Sequence, residues 1–395
     1  MFSKFNFLMN KIYLLTAAFA VMASLSGCSD TELASIDTVQ EKTPIGFHTV
    51  GSQMGSRAEI IDAGNITSTD FKVYAFDGDG NAFMGNNDID NDLFAHNGVH
   101  IKYDAVNRAW TYNDPSNLRY WPNYSLDFYA VSPATFPGEL SLGWKFNHES
   151  PTIFYSPSDE YDNTSIPANV DVMYAVAKGQ TKSGGGKVNL AFKHILSQIA
   201  FQAKTNDPNL VVEINEIKLF NIKFSGYFHI PTDNTAPTSN NWRPSDLQSG
   251  GLAFTVIKKG ANITVNSTTD ATDISKKTPM LVIPQQLTAW QTSTTTAKTK
   301  DDADKDKEGY LGISCKIKVN GEYIKGDASN FEYIWVPFGA DWQPGKRYVY
   351  TLIFGGGYDK DGNPILQPIN FEPSVEDWGN VDDNTSTDKD IPLYQ

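Results

Sequence analysis

The stretch that decides the fold is Ile313-Ser314-Cys315-Lys316-Ile317-Lys318-Val319-Asn320-Gly321-Glu322-Tyr323. Apolar and polar side chains alternate as far as Val319, which is the period of a β-strand with one buried face. Asn320-Gly321 then supplies the residue pair that most readily adopts the left-handed backbone of a two-residue turn. We therefore predict a β-hairpin at this point of the chain.

Runs of the same kind continue in both directions, separated by Gly-, Asp- and Asn-rich turns such as residues 183–186. Thr292–Glu308, rich in Thr, Lys and Asp, is predicted to be an exposed loop or hairpin arm. No strong amphipathic helix is evident, so the pattern predicts an all-β fold of the sandwich type. The predicted strands include Ile45–Val50, Phe71–Phe76, Leu126–Val131, Val172–Ala177, Val188–Phe192, Gln198–Ala203, Val211–Phe220, Leu252–Ile257, Met280–Ile283, Ile313–Val319, Tyr333–Val336, Arg347–Phe354 and Ile365–Phe371.

The N-terminus has the layout of an export signal. Lys4 and Lys11 precede the apolar stretch Ile12–Leu25, which is too short to span a bilayer comfortably. Leu25-Ser26-Gly27-Cys28 resembles a bacterial lipobox, in which the cysteine thiol receives diacylglycerol and further acyl chains such as palmitate. An ordinary cleaved signal with a chance cysteine is the alternative. The prediction is a lipoprotein held at the cell outer membrane by lipid on Cys28.

Length suggests more than one core, because 395 residues exceed the size of an ordinary single domain. A composition break falls at the glycine run, residues 183–186. We predict a lipoprotein signal peptide at 1–27, a lipidated tether with a first strand at 28–57, an N-terminal β-sandwich at 58–185, and a C-terminal β-sandwich with its tail at 186–395.

Charge and cysteine content limit the partners and the covalent cross-links that the protein can have. Lys4 and Lys11 are two of the 32 basic side chains and no acidic residue precedes Cys28, so the exported chain carries 30 basic and 46 acidic side chains. Such a surface repels phosphate, so nucleic acid is a poor partner. If Cys28 is lipidated, Cys315 has no disulfide partner and is expected to be a buried core thiol.

The sequence marks no catalytic machinery. Asp77, Asp79, Asn81 and Asp88 have the spacing of a calcium loop, but Ala82 stands where such a loop needs glycine, so turn formation is the stronger interpretation. The histidines lack metalloprotease spacing, and the chain has neither a Gly-x-Ser-x-Gly elbow nor a phosphate-binding loop. We predict a protein that is not an enzyme and has no cofactor or metal.

An aromatic cluster is the candidate ligand site. Trp110, Trp121 and Tyr124 are the candidates for stacking on a sugar, and Tyr112 and Tyr120 lie among them. Aromatic residues beside strands are more often part of the core, so core packing is the alternative and the stronger one. If these rings are exposed instead, the predicted partner is a glycan or another host ligand.

Groups of residues along most of the exported chain resemble the fimbrillin family, the lipoprotein pilins of type V pili and their minor and tip subunits. The groups are the lipobox, Ile45-Gly46-Phe47, Ser56-Arg57-Ala58, Tyr120-Trp121-Pro122, Asp171-Val172-Met173-Tyr174-Ala175, Leu190 to Ile199, Val282-Ile283-Pro284-Gln285-Gln286, Trp342 to Tyr350 and Val375-Glu376-Asp377-Trp378. The resemblance implies two tandem transthyretin-like β-sandwiches and a place in a fimbrium on the cell surface.

The resemblance also implies an assembly mechanism. An Arg-specific protease would cut between Arg57 and Ala58 and remove Ile45–Val50, and a strand of a neighbouring pilus subunit would fill the groove that this opens. Residues 391–395 at the C-terminus are a candidate donor strand, although the tail before them is polar. Alternatives that remain open are a tip or anchor subunit that keeps its lipid, and a surface lipoprotein that does not polymerise.

Overall fold

A computed structural model of the protein describes residues 42–50, 69–85, 98–134, 141–145, 150–156, 170–182, 186–232, 235–245, 253–290, 300–355 and 372–377. The described residues are mostly β-strands, with one α-helix, α1 (Lys300–Asp306), and short 3-10 helices at Pro115–Asn117 and Ser239–Asn241. The predicted all-β class is therefore confirmed. None of the helices in these ranges is long and apolar enough to cross a membrane.

The strands have two to eleven residues, and most of them follow the alternating runs of the sequence, whereas the predicted strand Ile365–Phe371 lies outside the described residues. In chain order they are β1 (Gly46–Val50), β2 (Phe71–Phe76), β3 (Ala82–Met84), β4 (Val99–Asp104), β5 (Ala109–Tyr112), β6 (Leu126–Ser132), β7 (Ser141–Lys145), β8 (Thr152–Ser156), β9 (Met173–Gln180), β10 (Lys187–Ala191), β11 (Lys193–His194), β12 (Ser197–Thr205), β13 (Leu210–Phe220), β14 (Gly226–His229), β15 (Trp242–Pro244), β16 (Ala253–Ile257), β17 (Ile263–Val265), β18 (Thr272–Asp273), β19 (Met280–Val282), β20 (Gln286–Leu287), β21 (Tyr310–Val319), β22 (Glu322–Lys325), β23 (Glu332–Pro337), β24 (Ala340–Asp341), β25 (Lys346–Phe354) and β26 (Glu372–Asp377).

Two sheets enclose the core of the C-terminal half. A five-stranded sheet runs β18-β12-β25-β26, with β19 also on β12, and a six-stranded sheet runs β16-β13-β21-β22, with β17 on β13 and β23 on β21. Alternate side chains of β12, β13, β21 and β25 point into one apolar cluster between them. The alternation of the sequence thus marks the core-facing side chains, but in β21 the other face is covered as well, because every residue from Tyr310 to Ile317 is buried.

The central strands of the N-terminal half are buried on both faces. A seven-stranded sheet runs β11-β9-β6-β2-β4-β5, with β3 on β2. On one face, Phe71 and Val73 of β2 pack in a cluster with Val188 of β10. On the other face, Tyr74 and Phe76 of β2 pack with residues of β8, β14 and β15. The seven-stranded sheet therefore lies between the pair β1-β10 and the sheet β15-β14-β8-β7.

The hairpin predicted from Asn320-Gly321 is confirmed. Val319 pairs with Glu322 across the turn, and φ is 51° at Asn320 and 89° at Gly321. Both central residues thus have the left-handed backbone that this turn type requires. Leu311, Ile313, Cys315 and Ile317 of β21 face the core.

The prediction that Thr292–Glu308 is an exposed loop or arm is wrong for its second half. Residues 291–299 lie outside the described residues, but Lys300–Asp306 forms helix α1, and Ala303 is fully buried. The helix has only seven residues, which is too short for an apolar periodicity to appear in the sequence.

The predicted division between residues 185 and 186 stays a prediction, and strands pair across it. Strand β1 pairs with β10, and β14 pairs with β8, so that elements from both sides of residue 185 share sheets. The larger C-terminal cluster begins only with Ile199. The tandem transthyretin-like arrangement likewise stays a prediction.

Candidate functional site around the first strand

Strand β1 runs parallel to β10 at the edge of the N-terminal half. The register pairs Gly46 with Lys187 and continues in step to Val50 with Ala191. The ladder begins where the Gly46 amide donates a hydrogen bond to the Gly186 carbonyl at 2.9 Å. Strands β1 and β10 are separated by more than 130 residues of the chain. Parallel strands always need such a crossover connection, whereas antiparallel strands can be joined by a short turn.

Two apolar side chains anchor this segment. Ile45 and Phe47 are almost fully buried, whereas His48 points to solvent. The Phe47 ring lies 6.2 Å from Phe71 and 6.3 Å from Phe128, both in edge-on geometry. Burying a side chain of this size contributes about 1.5–3 kcal/mol. Ile45 and Phe47 therefore fill a groove whose floor is the seven-stranded sheet.

Strand β5 holds the same segment through polar contacts. Trp110 Nε1 donates to Thr49 Oγ1 at 3.0 Å, and the Tyr112 hydroxyl donates to the Ile45 carbonyl at 3.0 Å. Burial raises the pKa of Tyr112 to about 12, although the Arg119 backbone and charge oppose the shift. The hydroxyl therefore stays protonated and able to donate at every physiological pH.

Trp121 donates hydrogen bonds to the residues that precede β1 and to the residue that precedes β10. Its backbone amide donates to the Thr43 carbonyl at 3.0 Å, and its ring nitrogen donates to the Gly186 carbonyl at 2.8 Å. Gly186 has a φ of 73°, and a Cβ on it would lie 2.7 Å from the Pro44 carbonyl oxygen. Glycine at position 186 thus allows the N-terminal segment to cross the start of β10.

The three candidate stacking residues do not share one exposed surface. Trp110 is 8% exposed and packs edge-on against Phe71 at 4.7 Å. Trp121 is half-buried, and Tyr124 is 47% exposed, with Tyr120 close by in sequence at 42%. The structure therefore places Trp110 in the core and leaves the two tyrosines facing solvent.

Other predicted positions divide between the described residues and those outside them. Cys28, Arg57, Ala58 and residues 391–395 lie outside, so their roles stay predictions. In the turn after β2, Asp77 Oδ1 accepts hydrogen bonds from the Asp79 and Asn81 backbone amides at 2.9 and 2.8 Å. These bonds to Asp77 close the turn, as the turn-forming interpretation of this loop expects.

Sequence reasoning missed Thr49, Tyr112 and Gly186 as contacts of the first strand. The signal for Gly186 was present in the glycine run, but a run of glycines equally marks a turn between domains. Thr49 and Tyr112 gave no such signal, because their contacts join residues more than sixty positions apart.

This arrangement can bind a strand without covalent chemistry. Backbone hydrogen bonds along β10 and the pockets filled by Ile45 and Phe47 hold β1 in the groove. Strand β1 is therefore an intramolecular strand that occupies this groove, and its apolar side chains complete the core cluster of the N-terminal half.

The chain belongs to the fimbrillin-like family. The family model for fimbrillin-like proteins matches residues 56–378, which is most of the chain. No curated protein matches it.

Solved structures share a distant likeness. A candidate cell adhesion protein from Bacteroides uniformis is 15% identical, with 85% of this chain and 99% of that chain covered and a TM-score of 0.42. One from Bacteroides eggerthii is 13% identical, with 86% and 96% covered and a TM-score of 0.42. The tip fimbrial protein Mfa3 from Porphyromonas gingivalis, with a C-terminal truncation, is 11% identical, with 78% and 94% covered and a TM-score of 0.37.

Proposed function

We propose that the chain is a structural subunit of a cell-surface pilus that assembles by strand exchange and contributes to adhesion. The observation that carries the proposal is the seating of β1. It lies in an apolar groove, it pairs with β10, and its covalent link to β2 runs through residues 51–70, which contain Arg57. Membership of the fimbrillin-like family supports the same role.

Cleavage between Arg57 and Ala58 would leave β1 held by noncovalent contacts alone. Its departure would uncover the Ile45 and Phe47 pockets and the free edge of β10. An uncovered apolar edge is a template for another strand, so a segment of a neighbouring subunit can take the place of β1. Retaining β1 until export would keep subunits from associating too early.

The proposed location is the outer membrane surface, reached through the export signal and a lipid on Cys28. The partners are other pilus subunits, and the C-terminal residues 391–395 are the proposed donor. A subunit that keeps its lipid would serve as an anchor or tip, and one that loses residues 28–57 would serve in the stalk. In each case the proposed function is to bind other subunits, with no catalysis and no cofactor.

The test is the N-terminal sequence and intact mass of the protein recovered from surface fibres. We expect a free N-terminus at Ala58 in the unaltered chain, and an Arg57→Ala variant that keeps residues 28–57 and stays out of the fibres. Fibres built from chains that still carry β1 would contradict the proposed role of the strand.

A second candidate function is a surface lipoprotein that does not polymerise and binds a glycan or host ligand. The exposure of Tyr120 and Tyr124 favours it, because exposed rings can stack on a sugar face. Under this hypothesis, Tyr124→Ala weakens glycan binding and leaves the melting temperature unchanged. Trp121→Ala, in contrast, is expected to destabilise the protein through its contacts with Thr43 and Gly186. Glycan binding that is unaffected by Tyr124→Ala would exclude this site.

A further inference from the structure

Three aromatic side chains converge on the outer face of the six-stranded sheet. Phe220 at the end of β13 pairs in register with Tyr310 at the start of β21, and their rings stack at 4.8 Å. The Trp335 ring stands nearly perpendicular to both, at 5.7 Å and 5.8 Å. Neighbouring residues on the same strands face the opposite way, into the core: Leu219, Leu311 and Val336.

A glycine beneath the rings gives them room. Gly312 pairs in register with Trp335, and a Cβ on it would lie 2.6 Å from Trp335 Cζ3 and 3.0 Å from Phe220 Cε2. Any side chain at this position would force the rings apart. The stacked pair of Phe220 and Tyr310 and the Trp335 ring across it therefore lie directly over the backbone of β21, and this cluster of three rings is called the aromatic cage.

The aromatic cage holds an ammonium group. Lys300 Nζ lies 5.7 Å from the ring centre of Phe220 and 5.6 Å from those of Tyr310 and Trp335. It also donates to Asp304 Oδ2 at 2.7 Å. The nitrogen thus lies within 6 Å of all three ring centres and in hydrogen-bond contact with one carboxylate, and this combination matches the requirements of a primary ammonium ion.

The carboxylate stays in place independently of the lysine. Asp304 Oδ1 accepts from the Tyr310 hydroxyl at 2.6 Å and from Asn221 Nδ2 at 3.0 Å. Burial opposes ionisation of Asp304, but the hydrogen bonds from Lys300, Tyr310 and Asn221 outweigh it and hold the pKa of Asp304 below its usual value. Rotation of the Lys300 side chain would thus empty the cage and leave the Asp304 carboxylate oriented by Tyr310 and Asn221.

Other lysines on the same sheet make simpler contacts. Lys316 lies 4.5 Å from the centre of the Phe331 ring, and Lys318 lies 4.6 Å from that of Tyr323. Single-ring contacts of this kind are common at protein surfaces. Lys300 differs because three rings and a carboxylate converge on one nitrogen.

We propose that the aromatic cage and Asp304 form a binding site for the lysine side chain of a partner polypeptide, and that Lys300 fills this site while the partner is absent. Lys300 is the first residue of α1 and its side chain is 34% exposed, so it can leave without unfolding the helix. Asp301 and Asp302 lie in the first turn of α1 and Asp306 ends the helix, and the whole chain carries a net charge of −14. That field attracts a basic segment. The cage residues are on strands other than β1 and β10, so a test of this proposal does not depend on whether β1 is exchanged.

The first test uses the unaltered full chain. Lys300 and Lys305 are acetylated with a limiting amine-reactive ester and quantified by mass spectrometry, with and without the peptide acetyl-Gly-Lys-Gly-amide. We expect Lys300 to react about tenfold more slowly than Lys305, whose side chain is 75% exposed, and to gain reactivity when the peptide is present. A Lys300 reactivity that does not change at saturating peptide would overturn the proposal.

The second test empties the site. By calorimetry, Lys300→Ala is expected to bind the lysine peptide about tenfold more tightly than the same peptide acetylated on its ammonium group. The matched control Lys305→Ala should bind as the unaltered chain does, and adding Trp335→Leu to Lys300→Ala should abolish binding. Equal affinity of Lys300→Ala for both peptides would refute an ammonium site.

Discussion

At the scale of single residues, Gly186 combines a left-handed backbone with a close approach of the N-terminal segment. Its φ of 73° favours glycine, and so does the Pro44 carbonyl oxygen, which would lie only 2.7 Å from a Cβ at this position. The seating of β1 thus depends on a residue outside the strand itself.

Gly186→Ala is therefore expected to destabilise the protein by about 1–3 kcal/mol, in part through backbone strain and in part by pushing Pro44 away from β10. The matched control is Gly179→Ala, because Gly179 has a φ of 62° and no heavy atom within 4 Å of the new Cβ. Urea unfolding of both variants separates the two causes. Equal losses would mean that the contact with Pro44 carries no energy.

Cys315 offers a second test at this scale. Its side chain is buried in the C-terminal core, and burial raises the pKa of the thiol to about 12. We expect no reaction with thiol reagents at pH 8 in the folded protein and full reaction in urea, measured in a Cys28→Ser background. Because the thiol of the unfolded chain ionises near its ordinary pKa of 9.0, this group should also lower stability as the pH rises from 9 towards 12. Rapid labelling of the folded chain would contradict the buried position.

At the scale of the element, Phe47 is the largest side chain that β1 buries in its groove. Phe47→Ala is expected to cost about 3–5 kcal/mol and to speed amide exchange along β10, because the ring leaves a cavity beside Phe71 and Phe128. His48→Ala, at a position whose side chain points to solvent, serves as the control and should change stability by less than about 0.5 kcal/mol. Equal exchange rates in the two variants would show that the ring does not hold the strand.

Whether an element could be predicted depended on whether local sequence or long-range contacts stabilise it. The hairpin at Asn320-Gly321 was predictable because both its turn geometry and its alternation are local properties. Helix α1 was not, since its seven residues are held by the burial of Ala303 and by the hydrogen bond from Asn221 to Asp304, which joins residues 83 positions apart. Local propensity cannot reveal an element that tertiary contacts stabilise.

The candidate site was predictable only in outline. The strand Ile45–Val50 was visible as an alternating run, but its parallel pairing with β10 was not, because parallel partners leave no turn signal between them. Trp110 and Trp121 were visible as aromatic residues. Their hydrogen bonds, to Thr49 and to Gly186, join residues far apart in the chain and could be found only in the structure.

At the scale of the whole molecule, β1 and β10 cover one face of the seven-stranded sheet, and the sheet β15-β14-β8-β7 covers the other. Its loss would expose Phe71, Phe128 and Val188 together, an apolar cleft that a soluble protein does not leave open. We therefore expect the chain to exist either with its own strand in the groove or with a strand from a neighbour.

A disulfide between β1 and β10 tests this expectation most directly. His48 and Asn189 are register partners with exposed side chains, and neighbouring strands lie about 4.8 Å apart, within reach of a disulfide. The measurement is the mass, by light scattering, of a Cys28→Ser, His48→Cys, Asn189→Cys chain after cleavage by an Arg-specific protease. We predict that the oxidised chain is cut yet remains monomeric, and that it polymerises once a reductant frees β1. Polymers that form while the disulfide is intact, or a reduced and cut chain that stays monomeric, would contradict assembly by exchange of β1.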